Sequence, residues 1–207
     1  MAGRSEAAEI VLGGYFALQH YTDYRETHVI EAWWRTRPSL ATGHAIREVM
    51  RQVAAASGSD FSERRFGETI SFELRREGRK RFSFQTAVRS VELEPPVQSA
   101  WPPILLETLR DNIGAKMNAL VERGAPRDFL DVMHLAMAKL TTPAECWALW
   151  GRKNSGGSAA LAKSKVQFHL TATETRRPLE GINDPHERAK AQQTREWFRR
   201  EFLGMGP

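Results

Sequence analysis

Two short segments carry residues whose types and spacing suit phosphate chemistry. The first is Ile10-Val11-Leu12-Gly13-Gly14-Tyr15-Phe16-Ala17-Leu18, followed by Arg25-Glu26-Thr27-His28-Val29-Ile30-Glu31. A tight glycine turn ahead of a helix lets backbone N–H groups approach a phosphate. Glu31 stands beside Ile30 and Ala32-Trp33-Trp34, and a carboxylate in such company is costly to bury unless something binds it. In a strand, residues i and i+2 share a face, so Val29 and Glu31 lie together while His28 takes the opposite side. The second segment runs from Lys116 to Asp131. Lys116 and Arg123, seven apart on one helix, share a face. Asp128 and Asp131, three apart at the start of the next helix, share another, and His134 continues that stripe.

Each of these residues admits a structural role beside a chemical one. Lys116 lies among Ile113, Met117 and Leu120, so it needs an anion. That anion is either a phosphate or Asp131, in which case the pair staples two helices. Asp128 falls in a first helical turn, where the helix dipole favours an acid regardless of function. Arg25 pairs with phosphate, or holds the acidic strand, or is a solvated surface arginine. Thr27 positions the strand that follows, and His134 reads as a packed histidine.

The elements that must position these groups follow from periodicity and breakers. A short helix or strand leads to Val11 and Leu12, Gly13-Gly14 interrupts it, and Tyr15 to Tyr21 reads as a helix. Residues 27–34, rich in β-branched and aromatic side chains, predict a strand, followed by a break at Arg37-Pro38-Ser39. Ile46, Val49, Met50 and Val53 recur at helical spacing over 43–56, with Ser57-Gly58 as the stop. Ile70, Phe72 and Leu74 alternate, Glu77-Gly78 turns, and Phe82 and Phe84 alternate again, which predicts a hairpin. Residues 87–93 predict a further strand. A long helix is predicted over 104–123, stopped by Gly124, and Pro126 suits the first turn of the next helix, which runs to about Leu140. Beyond residue 142 the pattern is helical throughout, over 143–151, 158–172 and 184–203.

Composition sets bounds. The chain has 207 residues, 41% of them hydrophobic and 27% charged, which suffices for a core and argues against wholesale disorder. A formal net charge of +5 suits a phosphate-bearing partner. The single cysteine, Cys146, excludes an intrachain disulfide and a cysteine zinc site and reads as core, consistent with a cytoplasmic setting. Neither a secretory h-region nor a run of about 18 apolar residues is present, so no membrane association is expected. The tryptophans sit mostly on amphipathic stretches and read as core.

Taken together, the two segments resemble the minimal nucleotidyltransferases of the DNA polymerase β superfamily, and in particular the AbiEii-like toxin branch. The resemblance covers roughly residues 8–140. It implies an α+β fold: a small mixed sheet flanked by helices over residues 1–103, then a helical region, 104–207, that carries the lysine and Asp-x-x-Asp motif and ends in a helical bundle. The implied activity is transfer of a nucleotide from an NTP to an RNA (including tRNA) or protein acceptor, as a toxin-antitoxin or phage-defence (abortive infection) component with a cognate antitoxin. By the same resemblance Gly13, Gly14, Arg25, Thr27, Lys116 and Arg123 bind nucleotide, and Glu31, Lys116, Asp128 and Asp131 form the catalytic set. Glu31 would hold Mg²⁺ or Mn²⁺. The family's paired metal-binding aspartates fall on Val29 and Glu31, so the first is missing. Ser83 and Gln85, where many relatives carry a third carboxylate, are uncharged.

Two further readings stand beside this one. The fold is retained for binding nucleotide, RNA or a protein partner without catalysis, or the chain is an RNA-binding protein that uses the basic hairpin tip Arg75, Arg76, Arg79, Lys80 and Arg81. Metal-dependent triphosphate binding separates the first two readings from the third, and turnover separates the first from the second.

Overall fold

The alternating apolar residues of the front half build one mixed sheet. A computed structural model describes residues 3–35, 39–89 and 91–204. A 3-10 turn (Ser5–Glu9) leads into β1 (Ile10–Gly13), followed by α1 (Gly14–Leu18), β2 (Val29–Trp34), α2 (Leu40–Ser57), β3 (Asp60–Phe66), β4 (Thr69–Arg76), β5 (Arg79–Val88), β6 (Val97–Gln98) and β7 (Leu105–Leu106). The strand order is β3-β4-β5-β2-β1-β7-β6. Strands β2 and β5 run parallel, as do β1 and β7, and the other neighbours are antiparallel.

The chain divides into two compact units, Met1–Asn112 and Ile113–Pro207. In the first, Ile10, Leu12, Ala32, Trp34, Phe72 and Leu74 form one sheet face and bury against Ile46, Met50 and Ala54 of α2. The helix is set by Ser39, whose Oγ accepts from the Thr42 N–H at 3.1 Å. Arg37 and Pro38, the first two residues of the expected break, lie outside the described residues. An apolar cavity of about 500 Å³ lies on this face, with Ile30, Val49, Phe82 and Phe84 in its wall.

Two local readings are corrected, and one strand is added. The helix expected from residue 104 begins at Leu109 as α3 (Leu109–Glu122). Leu105 and Leu106 are instead taken into the sheet beside β1, and the Glu107 N–H continues the ladder to the Leu12 carbonyl at 2.9 Å. No separate strand forms over 87–93 among the described residues: β5 runs on to Val88, and the Leu93 and Glu94 amides turn to Asp111 Oδ2, at 2.9 and 2.8 Å. Finally, β3 was not expected. It pairs with β4 along its full length, yet its sequence, Asp-Phe-Ser-Glu-Arg-Arg-Phe, shows the charge typical of an edge strand rather than apolar alternation.

The second unit is helical. It holds the rest of α3, then α4 (Pro126–Met137), α5 (Pro143–Lys153), α6 (Ala159–Arg176) and α7 (Pro185–Trp197), which passes into a π-helical turn, Phe198–Phe202. Met117, Leu120, Val132, Leu135, Cys146, Leu149, Val166 and Phe198 are buried. Gly124 ends α3 at φ 51, and a Cβ there would fall 2.3 Å from His169, so only glycine gives both the left-handed turn and the close approach. Among the described residues no helix is long and apolar enough to cross a membrane.

Candidate active site

In the first unit the chemistry-bearing side chains occupy the sheet face opposite the apolar core. Because Ile30, Ala32 and Trp34 face the core, Val29, Glu31 and Trp33 face the other way. The register sets Gly13 opposite Glu31 across β1 and β2. On the other side of β2, Ser83 stands opposite Val29 and Gln85 opposite Glu31. The immediate neighbours of Glu31 on this face are thus uncharged.

Gly14 adopts φ 61, and a Cβ on it would stand 1.8 Å from Glu31 Oε2. The carboxylate of Glu31 therefore lies directly on the glycine turn. The other glycine is approached just as closely: a Cβ on Gly13 would stand 2.8 Å from Glu107 Oε2 and 2.3 Å from Trp33 Nε1. Glu107 is fully buried and pairs with Arg89, which also pairs with the buried Asp111. Asn112 Nδ2 donates to Glu107 Oε2 at 3.0 Å and to the Gly14 carbonyl at 2.8 Å. Asn112 and Glu107 thereby tie the first turn of α3 to the glycine turn. Sequence reasoning missed Arg89, Glu107, Asp111 and Asn112. The available signal is a Glu and an Asp four apart beside a hydrophobic stretch, a spacing that equally fits a continuous helix.

The approach to β2 is fixed by Tyr15 and Thr27. The Tyr15 hydroxyl accepts from the Tyr24 and Arg25 amides, at 3.1 and 2.8 Å, and donates to Asp23 at 3.2 Å. The Arg25 guanidinium stacks over the Tyr15 ring, 3.8 Å from its centroid. Thr27 Oγ1 donates to the Val29 carbonyl and accepts from its N–H, at 3.1 and 3.2 Å, closing a turn at the strand entrance.

Glu73 on β4 is a further carboxylate on the Glu31 face, since Phe72 and Leu74 face the core. It stands opposite Ser83, which puts its backbone about 10 Å from Val29 by two inter-strand spacings. Arg75 holds it at 3.1 Å and Arg64 at 3.8 Å. With its carboxylate taken up by these two arginines, Glu73 is not the partner of Glu31 on a shared cation. Glu107, the other carboxylate at the turn, is held by Arg89 and Asn112, so the donor set fits one hard cation that arrives with phosphate oxygens and takes one protein carboxylate, Glu31. It does not supply the paired carboxylates of a two-cation site.

In the second unit Lys116, 8% exposed, pairs through Nζ with Asp131 Oδ2 at 2.8 Å. Asp128 accepts twice from Arg123, at 2.9 and 2.8 Å, and once from the Ala125 N–H at 3.0 Å. Both aspartates are 1% exposed. The structure thus joins the four residues in two ion pairs linking α3 to the start of α4. His134 is partly buried, and that burial lowers its imidazole below the ordinary value. Lys153, 8% exposed, was not anticipated. Its methylene chain lies against Gly114, where a Cβ would meet Lys153 Cε at 2.7 Å.

No curated protein matches the chain. A family profile described as "Nucleotidyl transferase AbiEii toxin, Type IV TA system" matches residues 35–203. The match takes in both ion pairs of α3 and α4 but starts one residue after β2, so the glycine turn and Glu31 precede it. Most of the sequence, including the Lys116-to-Asp131 segment, thus follows one family's pattern on a mixed sheet with a helical second half, and the chain belongs to the AbiEii nucleotidyl transferase toxin family of type IV toxin-antitoxin systems.

Proposed function

We propose that this protein binds an NTP with one divalent cation, Mg²⁺ or Mn²⁺, at the Gly13-Gly14 turn and transfers the nucleotide to an RNA (including tRNA) or protein acceptor. The observation that supports this most is the placement of the Glu31 carboxylate on Gly14, at the end of β1. Two carboxylates, Glu31 and Glu107, approach the turn, so a bare triphosphate would be repelled and one accompanied by a cation would not. When bound, the cation would withdraw charge from the phosphates as the acceptor's nucleophile bonds to the α-phosphorus and pyrophosphate leaves. Glu31 would hold it. Gly13 and Gly14, lacking side chains, would let phosphate oxygens reach the backbone, and Asn112 and Thr27 would keep the turn and the strand in place. Lys116, Arg123, Asp128 and Asp131 enter this proposal through family membership, since their observed partners are one another. A cognate antitoxin is the expected protein partner, on the same ground.

A second reading, binding without turnover, is favoured by Val29 together with the uncharged Ser83 and Gln85 opposite β2. One experiment separates them. Wild type, Val29→Asp and Glu31→Gln are incubated with each α-labelled NTP, Mg²⁺ or Mn²⁺, and total bacterial RNA and protein. Label on an acceptor with wild type, lost in Glu31→Gln, supports transfer on a single carboxylate. Label only with Val29→Asp supports the binding reading, and no label from either active-site version overturns the transferase proposal.

A further inference from the structure

The second unit holds a cavity of about 290 Å³ between α4, α6 and α7, and its charge is unbalanced. Arg127, Arg177, Lys190 and Arg195 line it, against one acid, Glu187. Arg195 is the informative residue. It is 8% exposed, and the hydrogen bond it makes from Nη2 goes to the Arg177 carbonyl, a neutral acceptor. Among the described residues no carboxylate pairs with it. A buried guanidinium without a counter-charge is expensive; in the same unit Lys116 pairs with Asp131 and Asp128 with Arg123. The remaining N–H groups of Arg195 have access to the cavity it lines.

Two other features point to the same ligand class. Pro126 and Arg127, the first two residues of the twelve-residue α4, form part of the wall; the Asp128 carboxylate already caps this helix end, so what the end contributes is the Arg127 charge. Beside Thr173 and Thr194, the wall has an apolar part formed by Phe129, Leu130 and Leu170. A simple inorganic anion would leave this part unfilled. The cavity is at the small end of ligand pockets.

We propose that this cavity binds a nucleotide phosphate: Arg195 and Lys190 take the phosphate, Arg127 and Arg177 close over it, and the base or sugar covers Phe129 and Leu130. The site lies wholly within the second unit and does not depend on the transferase proposal. The shared chemistry, a phosphate ester with a planar apolar part, is offered both by a free nucleoside monophosphate and by a nucleotide within an RNA strand.

The test is calorimetric titration of the full chain with inorganic phosphate, AMP and a five-nucleotide RNA, repeated on Arg127→Glu, Lys190→Glu, Arg195→Lys and Glu31→Ala. AMP or the oligonucleotide should bind at least roughly ten-fold more tightly than phosphate, and each of the two charge reversals should weaken binding by roughly ten-fold or more. Arg127 is exposed and Lys190 half-buried, so thermal melting should show both variants folded even if a change at the buried Arg195 does not fold. Glu31→Ala should leave this binding unchanged, which separates it from nucleotide held at the glycine turn. Tighter binding of the oligonucleotide with a steep salt slope assigns the site to an RNA strand, and equal binding assigns it to a free nucleotide. Failure of AMP and RNA to bind, or binding that survives both charge reversals, overturns the proposal.

Discussion

The carboxylate of Glu31 lies on Gly14 so closely that a Cβ at Gly14 would stand 1.8 Å from Oε2. The glycine is also at φ 61, where a side chain costs roughly 1–2 kcal/mol by itself. Gly14→Ala should therefore destabilise the protein by more than that strain alone, because Glu31 must also move. Glu31→Ala made in the Gly14→Ala background should recover part of the loss. Urea denaturation of the four proteins in the cycle gives the coupling, and a value near zero would disprove the close approach.

Lys116 and Asp131 form a buried pair, and removing one partner leaves the other charge without compensation. Lys116→Met and Asp131→Leu should each cost about 3–5 kcal/mol, whereas the double variant should lie much nearer wild type. Denaturant midpoints measure this directly. The double variant also decides between the two roles of the pair: if it folds normally but no longer transfers or binds nucleotide, the pair is more than a staple.

Stability should fall with acidification through His134. Its imidazole is held below the ordinary value first by burial; Asp131 opposes this and Lys190 adds to it. The folded value is thus below the unfolded one, about 6.5, so the unfolded chain binds more protons in the window between them. The His134 contribution is complete above about pH 6.5 and is lost as the pH falls toward the depressed folded value. Wild type should lose more melting temperature between about pH 7.5 and 5.5 than His134→Gln does. Parallel curves for the two proteins would remove His134 as the cause.

Cys146 should be inert while the protein is folded. It is fully buried, Thr141 Oγ1 lies 3.7 Å from its Sγ, and burial pushes its thiol up to about 11. The thiolate is the reactive form, so a disulfide-exchange reagent at neutral pH should label it only at the rate of unfolding. Fast labelling of native protein, before any loss of helical circular dichroism, would contradict the buried placement.

Much of the molecule was readable from local patterns because those patterns act locally. Alternation at Ile70, Phe72, Leu74, Phe82 and Phe84 fixes a hairpin whatever surrounds it. Gly124 and Pro126 end one helix and open the next by backbone geometry alone. The Lys116-to-Asp131 spacing allows the pair of those two residues, whereas the pairing of Arg123 with Asp128 came only from the structure. The period of β2 likewise fixed that Val29 shares a face with Glu31.

What the sequence could not settle depended on partners distant along the chain. Leu105 and Leu106 fit a helix by spacing, but pairing with β1 offered them backbone hydrogen bonds as strand, and that contact spans more than ninety residues. Glu107, Asp111 and Arg89 look like surface charges until the sheet buries them together. Asn112 gives no local sign that it will hold the Gly14 carbonyl. The unbalanced charge around Arg195 arises only when α4, α6 and α7 converge. Propensity and period decide which element forms, whereas burial, which turns an ordinary charge into one that requires a partner, is a property of the assembled fold alone.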